Sequence, residues 1–238
     1  MTSVVAGVDG CHAGWFVVLR DNATDRQWWR VAYDFATVLD VVHDAAAIAV
    51  DIPIGLLDEA VPGGRACDQE ARRFLRGARA SSVFTPPVRG ALCRLTYRDA
   101  LEANRASSPH SLGISRQCFA ITPKIQEVDE AMTPELQQRV YEIHPELCFF
   151  ALNDRRSLDQ PKRKPEGQAI RAALLKQHGF SPAINAALKS LPEGVAPDDI
   201  LDACAACWTA GRIAAGTATR IPSAPQLDSR GLRMEMWM

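Results

Sequence analysis

The chain has 238 residues, enough for one substantial core or at most two small domains. Apolar residues make up 47% and charged residues 23%, a globular composition that excludes a largely disordered chain. The formal net charge of −1 excludes the basic excess of a nonspecific nucleic-acid binder, so any contact with nucleic acid has to come from local patches.

Met1-Thr2-Ser3 runs straight into Val4-Val5-Ala6-Gly7-Val8, without the cationic region and long apolar stretch of a secretory leader. No run of about 18 apolar residues occurs, so no membrane span is expected. Seven cysteines in no scaffold spacing suit reduced thiols in a cytoplasmic protein. Val4–Val8 reads as a strand ending at Asp9-Gly10, followed by a turn, a strand over Trp15–Leu19, a turn at Asp21-Asn22 and a strand over Trp28–Tyr33. That is a meander of three antiparallel strands. Phe35, Val38, Leu39 and Val42 recur at helical spacing. Ala46–Val50 is a fully apolar strand that stops at Asp51, and a helical crossover implies that it runs parallel to a strand already laid down.

The middle of the chain is more polar. Cys67–Leu75 reads as a helix carrying Arg72, Arg73 and Arg76. Arg79 to Pro87 reads as a loop, and Tyr97–Arg105 and Ser115–Ala131 as helices. Residues 58–138 are therefore expected to form a helical insertion within a single domain spanning 1–238. Val140–Ile143 returns to strand character, His144-Pro145 breaks it, and Pro145–Leu152 reads as a helical turn. Lys162-Arg163-Lys164, between Pro161 and Pro165, reads as an exposed loop. Gln168–His178 and Pro197–Ala215 are helices, the second with Pro197 in its first turn and Asp198 and Asp199 at its positive end. Leu232–Trp237 has the character of a closing strand. The expected class is α/β: a mixed five-stranded sheet, three antiparallel strands followed by parallel ones, flanked by helices.

Three aspartates draw the chemistry together. Asp9 and Asp51 each end an apolar strand, and carboxylates at the carboxyl ends of neighbouring parallel strands converge. A lone aspartate at a strand end is ordinarily a turn former, but two on such apolar strands ask for more. Asp202 lies past the first turn of its helix among small and apolar neighbours, where helix-dipole stabilisation does not reach and a carboxylate needs a partner. That partner is either a cation shared with Asp9 and Asp51 or a buried arginine. Asp199 and Asp202, three apart, share a helix face. Hard oxygen donors suit Mg2+ or Mn2+ rather than zinc, and two such ions about 3.5–4 Å apart support phosphodiester hydrolysis.

His144 at a strand end is a candidate general acid or base and Glu146 a further ligand, or else Glu146 complements the helix start. Between Arg65 and Arg98 stand eight arginines against two acids, Asp68 and Glu70. Arg72, Arg79, Ser81 and Ser82 in this stretch, with Lys124 beyond it, are the candidate phosphate contacts. A solvated basic face is the simpler alternative for the arginines, and a surface pair with Glu127 for Lys124. Cys204-Ala205-Ala206-Cys207 is a lone CxxC within a helix and reads as small residues packing on the sheet rather than a zinc site. Gly7 to Gly14 lacks the dinucleotide fingerprint.

Several blocks occur in order along nearly the whole chain: Gly7-Val8-Asp9-Gly10-Cys11 with Gly14-Trp15, Val50-Asp51-Ile52-Pro53-Ile54-Gly55, Cys67-Asp68 with Ala71-Arg72, and Arg79-Ala80-Ser81-Ser82-Val83-Phe84. Pro123-Lys124-Ile125 with Glu127-Val128-Asp129, Glu142-Ile143-His144-Pro145-Glu146, and Asp199 with Asp202-Ala203 follow. In these the chain resembles the bacterial and archaeal family of unknown function described as predicted ribonuclease H-like nucleases, domain-of-unknown-function family 429. The resemblance implies a ribonuclease H-like core with carboxylates on the first strand, the fourth strand and a late helix, here Asp9, Asp51, and Asp199 with Asp202. Many such enzymes carry Glu at the fourth-strand position, where this chain has the shorter Asp51. The activity implied is a metal-dependent nuclease or phosphodiesterase acting on nucleic acid or a phosphorylated small molecule. The same core also serves phosphotransferases and nucleotide-binding proteins, which normally pair two lobes, and a noncatalytic binding protein is the third alternative.

Overall fold

The computed structural model describes residues 3–238, the side chain at position 78 excepted; Met1 and Thr2, which open the segment searched for a leader, lie outside the described residues. In chain order the elements are β1 (Val4–Cys11), β2 (Gly14–Asp21), β3 (Gln27–Ala32), α1 (Phe35–Val41), β4 (Ala47–Val50), α2 (Ala66–Leu75), α3 (Gly77–Ala80), α4 (Tyr97–Ala106), α5 (Arg116–Ala120), α6 (Thr122–Ala131), β5 (Val140–Glu142), α7 (Pro145–Leu152), α8 (Pro165–Gln177), α9 (Ser181–Lys189), α10 (Pro197–Ala214), β6 (Arg220–Leu227) and β7 (Arg233–Trp237). The chain divides into two units, one of residues 1–52, 138–219 and 237–238, the other of 53–137 and 220–236. Among the described residues no helix is long and apolar enough to cross a membrane, and none of the seven cysteines is in a disulfide.

The first unit is built on a five-stranded sheet in the order β3-β2-β1-β4-β5. β1 to β3 are antiparallel neighbours, whereas β4 runs parallel to β1 and β5 parallel to β4. The expected mixed α/β sheet is therefore present. β1, β2 and β4 are apolar and buried on both faces along most of their length, as strands covered on both sides must be, whereas the edge strand β3 is only partly covered. Val5, Phe16, Val18, Ala47 and Ala49 join one core with residues of α7, α8, α9 and α10. On the opposite face Trp15 meets Phe35 of α1 edge-on, ring centroids 5.4 Å apart.

Helix α10 lies directly on β1, and Gly7 makes this possible. A Cβ built on Gly7 would stand 2.0 Å from the backbone N of Cys207 and 2.2 Å from the carbonyl O of Ala203. Only the absence of a side chain lets helix and strand backbones approach so closely. Ala203, Ala206, Cys207 and Ala210 supply the small side chains that continue this contact. The CxxC cysteines thus serve as small buried residues, with the Cys207 Sγ 3.8 Å from the Val5 carbonyl O.

The second unit holds α2 to α6 and the two-stranded sheet of β6 and β7. Its polar centre is Asp228, whose fully buried carboxylate accepts from the backbone N of Leu56 and Leu232 and from Arg89. Arg89 also bonds Asp129 at 3.0 Å. A second buried pair, Arg65 with Asp68 at 2.7 Å, ties the start of α2 to the carbonyls of Ile54 and Gly55. The helix expected over Ser115–Ala131 is two helices here. Pro123 has no N–H for the Phe119 carbonyl, and the Thr122 hydroxyl donates to it at 2.8 Å instead. β6 was not expected, because Pro222 and Pro225 interrupt its strand pattern; α9 was not expected either.

Candidate metal centre

The register of β1 and β4 places the first two carboxylates. Val8 stands beside Val50 in the last parallel pair, and the Asp51 N–H donates to the Val8 carbonyl at 3.0 Å. Asp9 and Asp51 are the next residues along the two strands. Asp9 is not the end of its strand as expected: β1 runs on to Cys11 because its antiparallel pairing with β2 continues past the point where β4 leaves. Two residues beyond Gly7, Asp9 shares Gly7's face of the sheet, the face on which α10 lies. Asp202 is contributed by α10, adjacent to the Ala203 carbonyl that crowds Gly7.

The three carboxylates meet. Asp9, Asp51 and Asp202 each offer an oxygen, all within 4.8 Å of one another. Asp9 and Asp202 are buried and Asp51 is half-buried. Burial, then the charges of Asp202 and Asp51, holds the Asp9 carboxyl well above the usual carboxylate range. Burial also raises Asp51, against the opposing pull of His144, Lys162 and a hydrogen bond with Asp9. Asp202 is pushed up to about 7, mainly by burial and in spite of Lys162.

Lys162 occupies this site. Its Nζ donates to the Asp202 Oδ2 at 2.5 Å, and Asp202 is 1% exposed. The stretch expected as an exposed loop thus sends one lysine inward while Lys164 stays exposed. Burial works against the Lys162 ammonium, but attraction from Asp202, Asp9 and Asp51 outweighs it and raises the pKa. The shifts of lysine and aspartate look contradictory for one ion pair. They are consistent because burial is the largest influence on the aspartates and outweighs the single ammonium there, whereas at the lysine the attraction of three carboxylates together outweighs burial. No sequence signal pointed to Lys162, since its reach depends on where the loop is pinned.

The other candidates sort by unit. His144 caps α7, its Nδ1 accepting from the Glu146 N–H at 3.2 Å. The buried Glu146 pairs with Arg171 at 2.6 Å. Asp199 closes the start of α10 by accepting from the Ala196 N–H at 2.8 Å; it lies outside the group of three but near enough to raise Asp9. Arg72, Arg79, Ser81, Ser82 and Lys124 all belong to the second unit. There Arg72 braces loops by donating to the carbonyls of Val83 and Gly63 and to the Thr85 hydroxyl, and the Ser82 hydroxyl donates to the Arg79 carbonyl.

The donor set fits a hard divalent cation. Its atoms are carboxylate oxygens, and among the described residues the buried Asp202 Oδ1 has no hydrogen-bond partner, an orphan that costs free energy unless something positive faces it. Three carboxylates against one ammonium leave two negative charges unbalanced when all are ionised. The thiols of Cys148 and Cys207 are pushed up to about 12 by burial, which keeps them protonated and poor as ligands or nucleophiles. No curated protein and no solved structure matched the chain. The model of the family described as protein of unknown function (DUF429) matches residues 7–227, the stretch that supplies all three aspartates and Lys162, and the chain belongs to that family.

Proposed function

We propose that the protein is a divalent-cation-dependent phosphodiesterase of the ribonuclease H-like type, acting on nucleic acid or a phosphorylated small molecule. The observation that carries this is the meeting of Asp9, Asp51 and Asp202 within 4.8 Å around a buried, unpartnered carboxylate oxygen. The sheet order, with carboxylates on the first strand, the fourth strand and the last helix of the first unit, supports it.

Asp9, Asp51 and Asp202 would hold Mg2+ or Mn2+, whose chemistry is to polarise a phosphoryl oxygen and offset the charge that develops there. Burial of Asp9 and Asp202 excludes bulk water, so charge at these oxygens acts at low dielectric. His144, whose charge is felt by Asp51, is the residue we assign to proton transfer. Glu146 acts as a positioning residue through Arg171, and Asp199 adds negative charge beside Asp9. Within the second unit by itself, Arg72, Arg79, Ser81, Ser82 and Lys124 stay candidate phosphate contacts.

Calorimetric titration of Mn2+ and Mg2+ into the wild type and Asp51→Asn tests the centre. Saturable binding should weaken at least ~10-fold in the variant, the loss of about 1.4 kcal/mol. A panel of single- and double-stranded DNA, RNA and small phosphodiesters should show hydrolysis that chelator and Asp9→Asn abolish. A folded wild type that neither binds the ions nor hydrolyses any of the panel refutes the reading.

A further inference from the structure

The cation centre contains a fixed positive charge of its own. The loop that carries Lys162 is held on both sides. A Cβ on Gly167, in the first turn of α8, would stand 2.0 Å from the Pro161 carbonyl O, so the loop backbone rests against the helix. The Lys164 N–H donates to the Pro161 carbonyl at 3.0 Å. The fully buried Arg171 donates to the carbonyls of Gln160 and Gly167 and to the Glu146 carboxylate. Lys162 therefore projects from a braced segment, and its head group reaches one oxygen of Asp202 while the other oxygen stays open.

A pair of ions about 3.5–4 Å apart needs carboxylate oxygens free to face each of the two ions. Asp202 has one oxygen already taken by an ammonium. We infer that Lys162 stands in for the second ion, so that the centre binds one divalent cation, on Asp9, Asp51 and the Asp202 Oδ1, beside a tethered ammonium on the Asp202 Oδ2. One divalent ion together with Lys162 balances the three carboxylates; a second ion would overcharge them at low dielectric, where each unpaired charge is costly. This inference rests on the cation centre proposed above and specifies its stoichiometry.

The test is Mn2+ binding to chelator-stripped wild type, Lys162→Met and Lys162→Arg, read by calorimetry and by electron paramagnetic resonance. Lys162 lies on a loop and is partly exposed, so the variants should fold, which circular dichroism checks; Lys162→Gln is a second neutral variant. One ion per chain is expected in the wild type and in Lys162→Arg. Two are expected in Lys162→Met and Lys162→Gln at millimolar Mn2+, with the spin-exchange signature of a neighbouring pair. Two ions in the wild type, or fewer than two in both neutral variants, overturns the inference while leaving the cation centre standing. A folded wild type that binds no ion removes the centre itself and the inference with it.

Discussion

At Asp202 burial and charge pull in opposite directions, and the result is a carboxyl group with a pKa of about 7 in place of the usual ~4. Between those two values the folded chain binds a proton that the unfolded chain does not, so stability falls as pH rises through the window. A salt-bridged carboxylate with a lowered pKa has the opposite sign. In chelator-containing buffer the melting temperature should therefore drop from pH 5 to pH 7.5, and Asp202→Asn should flatten that drop. Thermal unfolding of both proteins across the range checks this, and a wild-type slope no steeper than that of the variant counts against it. Added divalent cation should reverse the loss at the upper end by binding the ionised carboxylates.

The elements that build the site depend on one missing side chain. Gly7 lets α10 rest on β1, and α10 carries Asp202 to Asp9. Gly7→Ala drives a methyl group into helix backbone that cannot rotate away, at a cost near the upper end of the ~1–3 kcal/mol of overpacked cores. A urea titration should show that loss, and the surviving folded protein should bind cations more weakly, because the helix must move outward. Unchanged stability and affinity would mean that helix and strand are less tightly seated. Much of this architecture was legible in the sequence. Alternating and apolar runs located β1 to β5, and the crossover through α1 implied the parallel pairing that brings Asp51 beside Asp9. Asp202 was singled out because a carboxylate beyond the first helical turn, among small residues, is unexplained by local structure. Lys162 was not legible, since two flanking prolines read as a loop whatever the loop rests on. β6 was hidden by its own prolines.

Across the whole molecule, polar groups staple segments far apart in the chain. In the second unit Asp228 draws together residues 56, 89 and 232 through bonds to Leu56, Arg89 and Leu232. Asp228→Ala leaves those donors without their acceptor. The expected loss is about 2–3 kcal/mol, below the ~3–5 kcal/mol of a fully buried pair because Arg89 keeps contact with water and with Asp129. Far-UV circular dichroism in urea would register it, together with faster proteolysis within residues 53–137. An unshifted midpoint would show the staple to be redundant. Tryptophan fluorescence is the wrong probe here, since all five tryptophans lie in the first unit.

The three carboxylates are also far apart in time. Asp9 and Asp51 are synthesised first, and Asp202 emerges only later, with α10. Until that helix docks over Gly7, the nascent polypeptide carries two aspartates on neighbouring strands and Lys162, already made, without the carboxylate that Lys162 bonds. A translation product that stops before α10 therefore carries an incomplete centre, and the chemistry begins only once that helix is made.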